Sequence, residues 1–331
     1  MQGYPHYSKV KARQSASAVL CCAAALLFSA ALSAADAVSH RMTPYVGAIS
    51  ADASSGRIIV SDGANREAYP ASVTKLMTAL IVLEDIKAGK YKLGDVVTAT
   101  PDVYRSEASW VGIKAGEKMS VRDLLYALMV ESANDAAIAL GVQSAGSLEA
   151  FVAKMNDRAS ALGMTRTRYY NPNGLPPGKR YPWKKFNVTT AADQLKLALE
   201  IIKHREIFEY TSVKTCDLIK TPGGYRISVT RTVNKPFKES KIVSGEKIVK
   251  TFKNHNNILR VDKKKILNPD GTEAADGLKT GYIDAGGSSI ILTGSRCGRR
   301  AVVVVLGSAS SALRDEHARR LLADALGSLV W

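Results

Sequence analysis

The chain is 331 residues long, 46% hydrophobic and 23% charged, with 46 Lys and Arg against 30 Asp and Glu for a net charge of +16. That length can bury a large core, as one big domain or two ordinary ones, and needs no disulfide staple. The basic excess comes with no recognisable nucleic-acid module and no interleaving of aromatic and basic residues, so no nucleic-acid partner is expected.

At the N-terminus Lys9, Lys11 and Arg13 precede an uncharged apolar run from about Ala18 to Leu32, and small residues follow at Ser33, Ala35 and Ala37. This is the order of a secretory signal peptide, and cleavage after Ala35 or after Ala37 both fit. The run of about 15 residues falls short of the ~20 that span hydrocarbon. Cys21 and Cys22 stand at its start rather than its end, which argues against a lipoprotein. Residues 1–37 are therefore expected to be a signal peptide and 38–331 a single exported domain. Losing three cations and Asp36 leaves 43 Lys and Arg against 29 Asp and Glu, or +14. Of the cysteines only Cys216 and Cys297 then remain, and nothing in their spacing demands a disulfide.

Val46 to Val60 holds two short β-leaning runs around Ser54-Ser55-Gly56, a hairpin with alanine and isoleucine facing alternately inward. Ala71 to Ile86 is apolar on nearly every side and closed by Gly89, which predicts a buried central helix. Ser120 to Gly141 opens on the capping pair Ser120 and Asp123 and is interrupted by Glu131-Ser132-Ala133-Asn134-Asp135, so two helices should meet at a polar elbow. Ser147 caps a third helical run, with Phe151, Val152, Met155, Ala159 and Leu162 at helical spacing and Gly163 as its stop. Met164 to Asn187, with Pro172, Pro176, Pro177 and Pro182, reads as a loop of a length that is usually functional or disordered. Thr189 or Thr190 starts an amphipathic helix to about His204.

From about Thr211 the pattern turns to strands: Ile227 to Val233, Lys241 to Val249, Gly277 to Ile283, Ser288 to Thr293 and Ala301 to Leu306, the last two joined at Cys297-Gly298. Val302 to Val305 is a continuous β-branched run, expected to be covered on both faces. A helix from Ser310 to Leu329 closes the chain. Strands at both ends with helices between them predict an α/β protein of the α+β kind, with one sheet built from the two termini and a helical lobe inserted. Nine lysines between Lys235 and Lys265 face only Glu239, Glu246 and Asp262. Such a field suits anionic wall polymers or a membrane surface, and it equally suits a solvated hairpin that protects an edge strand.

Ser-x-x-Lys occurs three times, at Ser8, Ser72 and Ser244, so the string alone has little weight. Ser72-Val73-Thr74-Lys75 stands apart because it follows Pro70-Ala71 at the very start of the buried helix. Residues three apart share a helix face, so the Lys75 amine can reach the Ser72 hydroxyl. Serine is a poor nucleophile until a base takes its proton, and a lysine serves only if burial or a second cation lowers its pKa. The helix start also offers unpaired N–H groups and a positive dipole end to a developing oxyanion. The plain alternative is a serine that caps the helix beside a lysine that reaches solvent.

Ser132-Ala133-Asn134 lies at the elbow, where Ser132 can pass a proton between Lys75 and a leaving amine and Asn134 can bind a substrate amide; alone, the string reads more often as helix capping. Lys279-Thr280-Gly281 occurs once and lies on a predicted strand. Lys279 offers a cation that holds Lys75 neutral, Thr280 a group that binds a carboxylate, and Gly281 room for substrate backbone at the strand edge; alone, the string equally suits strand-edge charge against aggregation. The order, spacing and setting of the three strings agree on one chemistry, acyl transfer by a lysine-activated serine.

Around these strings, Pro70-Ala71-Ser72-Val73-Thr74-Lys75-Leu76-Met77-Thr78, Ser132-Ala133-Asn134-Asp135-Ala136, Asn171-Pro172-Asn173-Gly174-Leu175 and Asp276-Gly277-Leu278-Lys279-Thr280-Gly281-Tyr282 extend the pattern. The chain resembles low-molecular-mass penicillin-binding proteins of the D-alanyl-D-alanine carboxypeptidase and endopeptidase family over nearly all of Tyr45 to Leu329. The resemblance implies the penicillin-binding, β-lactamase-like transpeptidase fold and a peptidase of peptidoglycan working on the periplasmic or extracellular side. Ser72 would attack the carbonyl of the penultimate D-alanine of a stem peptide, D-alanine would leave, and water would hydrolyse the acyl-enzyme. It also implies an oxyanion held by the N–H groups of Ser72 and Tyr282, a terminal carboxylate held by Arg314, no cofactor, and β-lactam antibiotics as inhibitors that acylate Ser72.

Many such relatives continue into a β-rich domain and an amphipathic membrane helix, whereas this chain stops at Trp331. The short form resembles the endopeptidase branch that cuts cross-links. Alanine at position 133 stands where glycine is commoner. A class A β-lactamase needs an acid for deacylation, and Met164 to Asn187 contains no Asp or Glu. A non-catalytic wall-binding protein is the alternative outside enzymes. His6, His40, His204, His255 and His317 show no metal-ligand spacing, and His255 in Asn254-His255-Asn256-Asn257 reads as a turn residue rather than a base.

Overall fold

The computed structural model describes residues 45–103, 109–178 and 183–329, so the expected signal peptide with Cys21 and Cys22 lies outside the described residues. In chain order, β1 (Gly47–Asp52) and β2 (Ile58–Asp62) form the expected hairpin, and a 3-10 turn, Ala71–Thr74, leads into α1 (Lys75–Lys87). The short β3 (Val96–Thr98) and β4 (Lys118–Ser120) precede α2 (Val121–Tyr126), one π-helical turn at Ala127–Glu131, and α3 (Asn134–Ala145). α4 (Leu148–Ala161) and α5 (Ala191–Ile201) flank the long loop. Next come α6 (Ile207–Thr211), β5 (Val213–Thr221), β6 (Gly224–Thr232), β7 (Lys247–Lys253) and α7 (Asn257–Arg260). β8 (Ala275–Ile283), β9 (Gly287–Arg296), β10 (Arg299–Ser308) and α8 (Ser311–Ser328) complete the chain.

Helix starts follow the side chains. The hydroxyls of Ser120, Ser147, Thr190 and Ser310 each accept the N–H three residues on, from Asp123, Ala150, Asp193 and Leu313. Each such cap stabilises its helix by about 1 kcal/mol.

Within β10, Val302, Val304 and Leu306 join one apolar cluster while Ala301, Val303 and Val305 join another. A strand buried on both faces belongs in the middle of a sheet with a layer on each side. The sheet is antiparallel in the order β2-β1-β10-β9-β8, drawn from both ends of the chain as expected. Leu321, Leu322 and Leu326 of α8 cover one face, and the other carries the helical lobe. β1 is buried at all six positions, not alternately, because it lies beside β10 under both layers.

In the lobe, Leu76, Met77, Leu80, Ile81 and Leu83 of α1 are at most 1% exposed. Each fully buried side chain of this kind stabilises the fold by roughly 1.5–3 kcal/mol, so the segment before α1 is anchored by its helix.

Two expectations need correction. The strand expected over Lys241–Val249 begins only at Lys247, because the Arg226 guanidinium bonds the Lys241 carbonyl and the Glu246 carboxylate and holds the preceding residues as a loop. A second sheet, β3-β4-β6-β5-β7, stands apart from the first and was not expected: only β6 and the start of β7 overlap expected strands, β3 and β4 have no counterpart among them, and β5 lies in the β-leaning stretch after Thr211 without a strand of its own there. Cys216, buried in β5, and Cys297, exposed at the β9–β10 turn, are both free thiols.

Candidate active site

Ala71 sits at φ +48°, an uncommon conformation for alanine, and sends the chain into the 3-10 turn that carries Ser72. Lys75, three residues on, turns its amine back to the Ser72 hydroxyl, with Nζ to Oγ at 2.9 Å. The side chain is fully buried, and its amine also reaches Asn134 Oδ1 at 2.7 Å and the Asn173 carbonyl at 2.8 Å. Burial first, and then the nearby Lys279 cation, hold the Lys75 amine well below the usual lysine range. A neutral amine has two N–H donors and one lone pair. Neither Asn134 Oδ1 nor the Asn173 carbonyl can donate, so they take the two N–H groups and the lone pair is left for the Ser72 hydroxyl. The reading in which Lys75 reaches solvent is thereby overturned.

The elbow forms where the π-helical turn ends in Ser132 at φ +62°, ψ +32°. This left-handed residue breaks the helix axis and starts α3 at Asn134. The carboxylate of Asp135 pins the elbow by accepting backbone N–H groups from Val111, Gly112, Ile113 and Ala136. Ser132 Oγ is buried with no hydrogen-bond partner among the described residues.

The long loop completes the pocket floor. Asn187 acts as its clamp: Oδ1 accepts from the N–H groups of Tyr170 and Asn171, and Nδ2 donates to the Asn171 carbonyl and to Thr74 Oγ1. Asn171 Oδ1 in turn accepts from the N–H of Gly174 at 2.6 Å. This polar lattice aims the Asn173 carbonyl at Lys75. Gly174, at φ +83°, permits the approach: a β-carbon there would stand 1.8 Å from the Ala71 carbonyl oxygen.

β8 is the edge strand of the first sheet and lies against the nucleophile turn. Gly281 also has a packing role that the sequence did not show, since a β-carbon there would stand 2.8 Å from the Pro70 oxygen and 2.9 Å from the Ser72 nitrogen. Its missing side chain lets the strand close on Ser72. Lys279 is buried and donates to the Thr280 carbonyl at 2.9 Å. Burial, and then the charge of Arg314, bring its pKa down to about 7, with Glu131 opposing. Arg314, in the first turn of α8, is 4% exposed and held by Asp315, which also pairs with Lys264 at 2.9 Å.

One cleft of about 320 Å³ is lined by Ser72, Ser132, Asn134, Thr280, Gly281, Tyr282 and Arg314. Seven of the nine expected residues thus line one cavity, and the other two, Lys75 and Lys279, stand buried behind it. Tyr282 is 61% exposed, and its hydroxyl donates to Asp284 at 2.7 Å.

Residue-by-residue reading assigned no role to Asn171, Asn173 and Asn187. Their signal was a cluster of turn-forming asparagines with Pro172 and Gly174 between helices. His255 is a turn residue as expected, but it also lines the cleft, 3.9 Å from Glu131, whose carboxylate pairs with Lys250 at 2.7 Å.

A family model described as D-alanyl-D-alanine carboxypeptidase matches residues 38–251. The chain is similar to the D-alanyl-D-alanine carboxypeptidase DacF of Bacillus subtilis, at 26% identity over 267 residues, 81% of this chain and 58% of that protein. It is 31% identical over 316 residues to DacD of Salmonella typhimurium, covering 90% of this chain and 69% of that one. It is 33% identical over 178 residues to a D-alanyl-D-alanine endopeptidase of Pseudomonas aeruginosa, covering 50% and 54%. Among solved structures, D-alanyl-D-alanine carboxypeptidase DacD from Francisella tularensis matches with TM-score 0.70 at 28% identity, covering 85% of this chain and 70% of that one. Penicillin-binding protein D2 from Listeria monocytogenes, in its ampicillin-bound form, matches with TM-score 0.64 at 26% identity, covering 85% and 97%. The chain spans 58% of the length of the Bacillus subtilis relative. The family model covers well over half of the chain, and the protein belongs to the D-alanyl-D-alanine carboxypeptidase family.

Proposed function

We propose that the protein is a serine-type D,D-carboxypeptidase that removes the terminal D-alanine from peptidoglycan stem peptides through an acyl-enzyme on Ser72. The observation that carries this reading is the Lys75 amine, buried and depressed in pKa, with its lone pair left for the Ser72 hydroxyl 2.9 Å away.

In this reading Lys75 takes the Ser72 proton as Oγ attacks the penultimate carbonyl. The oxyanion is met by the N–H groups of Ser72 and Tyr282, which the close approach at Gly281 brings onto one wall. Ser132, whose buried hydroxyl has no hydrogen-bond partner among the described residues, relays the proton to the leaving D-alanine nitrogen. Thr280 and the cations Lys279 and Arg314 receive the terminal carboxylate, while Asn134 binds the substrate amide. Water then hydrolyses the ester. A β-lactam carries the same carboxylate and a strained amide, and the ampicillin-bound Listeria relative supports such compounds as acylating inhibitors.

Residues 1–37 serve in this reading as a signal peptide, and 38–331 act as one catalytic domain outside the cytoplasm. A second reading, cleavage of peptide cross-links, is favoured by the Pseudomonas aeruginosa endopeptidase relative. Mass spectrometry of products from purified muropeptides tests both. Loss of one alanine from monomers supports the carboxypeptidase; conversion of dimers to monomers moves the assignment to the endopeptidase. Turnover that survives Ser72→Ala sinks the mechanism.

A further inference from the structure

The far edge of the second sheet concentrates two kinds of side chain that seldom share an exposed surface. Among the described residues ten large hydrophobic side chains are exposed, and five of them fall between positions 237 and 249: Phe237 at 63%, Ile242 at 42%, Val243 at 62%, Ile248 at 47% and Val249 at 44%. Scattered single exposures need no explanation, but half of them inside thirteen consecutive residues do. The same stretch carries Lys238, Lys241 and Lys247, with Lys235 and Lys253 at its margins, all exposed and none in an ion pair among the described residues. Of its acids, Glu246 is taken up by Arg226 at 2.6 Å, which leaves Glu239.

The fold gathers these residues at one edge. β7 is the terminal strand of its sheet, paired only with β5, so Ile248 and Val249 have no strand beyond them. The loop before it folds back on the sheet. Ser240 Oγ and Thr251 Oγ1 both donate to the Asp217 carboxylate, and Arg226 grips Lys241 and Glu246. Ile242 and Val243 belong to the loop that these bonds hold, and Ile248 on β7 pairs with Ile219 of β5.

A basic cavity of about 540 Å³ lies on the β6 side of the same sheet, at the start of the loop that crosses to β7. Arg205, Arg231, Lys235 and Lys238 line it against the single acid Glu209, and the ring of Phe208 lies 5.4 Å from the Arg205 guanidinium carbon. Lys235, Pro236 and Lys238 belong both to the cavity wall and to the segment that presents Phe237.

We infer that this edge, from the basic cavity across Phe237, Ile242, Val243, Ile248 and Val249, docks the protein on an anionic phospholipid bilayer. The lysines and the cavity meet phosphate head groups, and the aliphatic and aromatic side chains enter the boundary below them. A soluble polyanion accounts for the cations alone, since it offers no apolar phase for five exposed hydrophobic side chains. The inference is independent of the bond that the Ser72 site cleaves.

The test uses the full-length chain with Phe237→Trp, reading the difference in tryptophan emission from the parent so that other membrane contacts cancel. Vesicles of phosphatidylglycerol should shift this emission to the blue, vesicles of phosphatidylcholine should not, and brominated acyl chains should quench it. Lys→Gln at positions 238, 241 and 247 should weaken the response by about fivefold for each lysine removed. Val243→Ser with Ile248→Ser should weaken it further with no change of charge. Thermal unfolding of each variant separates loss of docking from loss of fold. A Phe237→Trp emission that anionic vesicles leave unmoved overturns the inference. So does binding to inorganic polyphosphate that matches the vesicle response and ignores the apolar substitutions, which makes the edge a polymer site.

Discussion

Gly281 stands so close to Ser72 that a β-carbon on it would lie 2.9 Å from the Ser72 backbone nitrogen. The β8 edge and the turn that carries Ser72 are therefore one packed unit, and the glycine is what lets them touch. Gly281→Ala should push the strand off the turn and slow acylation by a fluorescent penicillin on the order of 10²-fold. Stopped-flow fluorescence measures the rate, and circular dichroism should show an unchanged fold. An alanine variant that acylates at the parent rate would falsify the packing argument.

In the proposed mechanism Lys75 and Lys279 should set opposing limbs of the pH profile. A neutral Lys75 acts as the base there, and its pKa is depressed, so kcat/KM should rise with pH through the Lys75 titration. Lys279 carries its charge only below about 7, so the limb attributed to it should fall as pH passes that value. Because the two charges interact, the observed midpoints belong to the pair. Lys279→Arg keeps the cation at every accessible pH and should remove the alkaline fall, at a lower maximum rate, in steady-state assays across pH 5–10.

The same depression has a sign for stability. Folded Lys279 titrates near 7 against 10.5 for an ordinary lysine, so between those values the unfolded chain binds more protons and stability from this group rises with pH. Below about 7 the buried ammonium imposes its full desolvation penalty. Lys279→Met should therefore raise the Tm at pH 6, flatten the rise between pH 7 and 10, and abolish acylation. Calorimetry at several pH values checks it, and a lower Tm at pH 6 counts against the assignment.

Glu131 pairs with Lys250 and is the group that holds the Lys279 pKa up against burial and Arg314. Glu131→Gln should move the alkaline limb to lower pH with little change in KM at pH 6. A purely structural role would lower stability without moving the limb, so the pH profile distinguishes the two.

The Asn187 side chain bonds the backbone of Tyr170 and Asn171, the Asn171 amide oxygen and the Thr74 hydroxyl, tying the start of the Asn171–Leu175 loop to the turn before α1. Asn187→Ala leaves several buried groups unpaired and should destabilise the fold by about 2–4 kcal/mol in urea unfolding. With the Asn173 carbonyl loosened, one acceptor that holds the Lys75 amine is lost, and acylation should slow alongside.

The local features were legible before any fold was known. The caps at Ser120, Ser147 and Ser310 are side-chain oxygens reaching N–H groups three residues on, and such short-range bonds are written in the order of residues. The two-face burial of β10 was equally readable from Val302–Val305, and so was the pairing of Ser72 with Lys75, because three residues of helix span one turn. The sheet from both termini followed from strands at the two ends with helices between them.

What depended on distance along the chain was not readable residue by residue. Asn173 lies 98 residues from Lys75, and only the folded loop brings its carbonyl to the amine. Glu131 meets Lys250 across 119 residues. Gly281 offered a plausible substrate contact in the sequence, and only packing shows that its absent side chain makes room for Ser72. The Lys235–Lys253 stretch read as charge, while the exposure of its hydrophobic side chains appeared only once the sheet ended at β7. The sequence determined which groups could do the chemistry and how each sits in its own helix or strand. The tertiary structure decided which of them meet, because burial, close approach and charge coupling act through space and depend on the folding of remote segments onto one another.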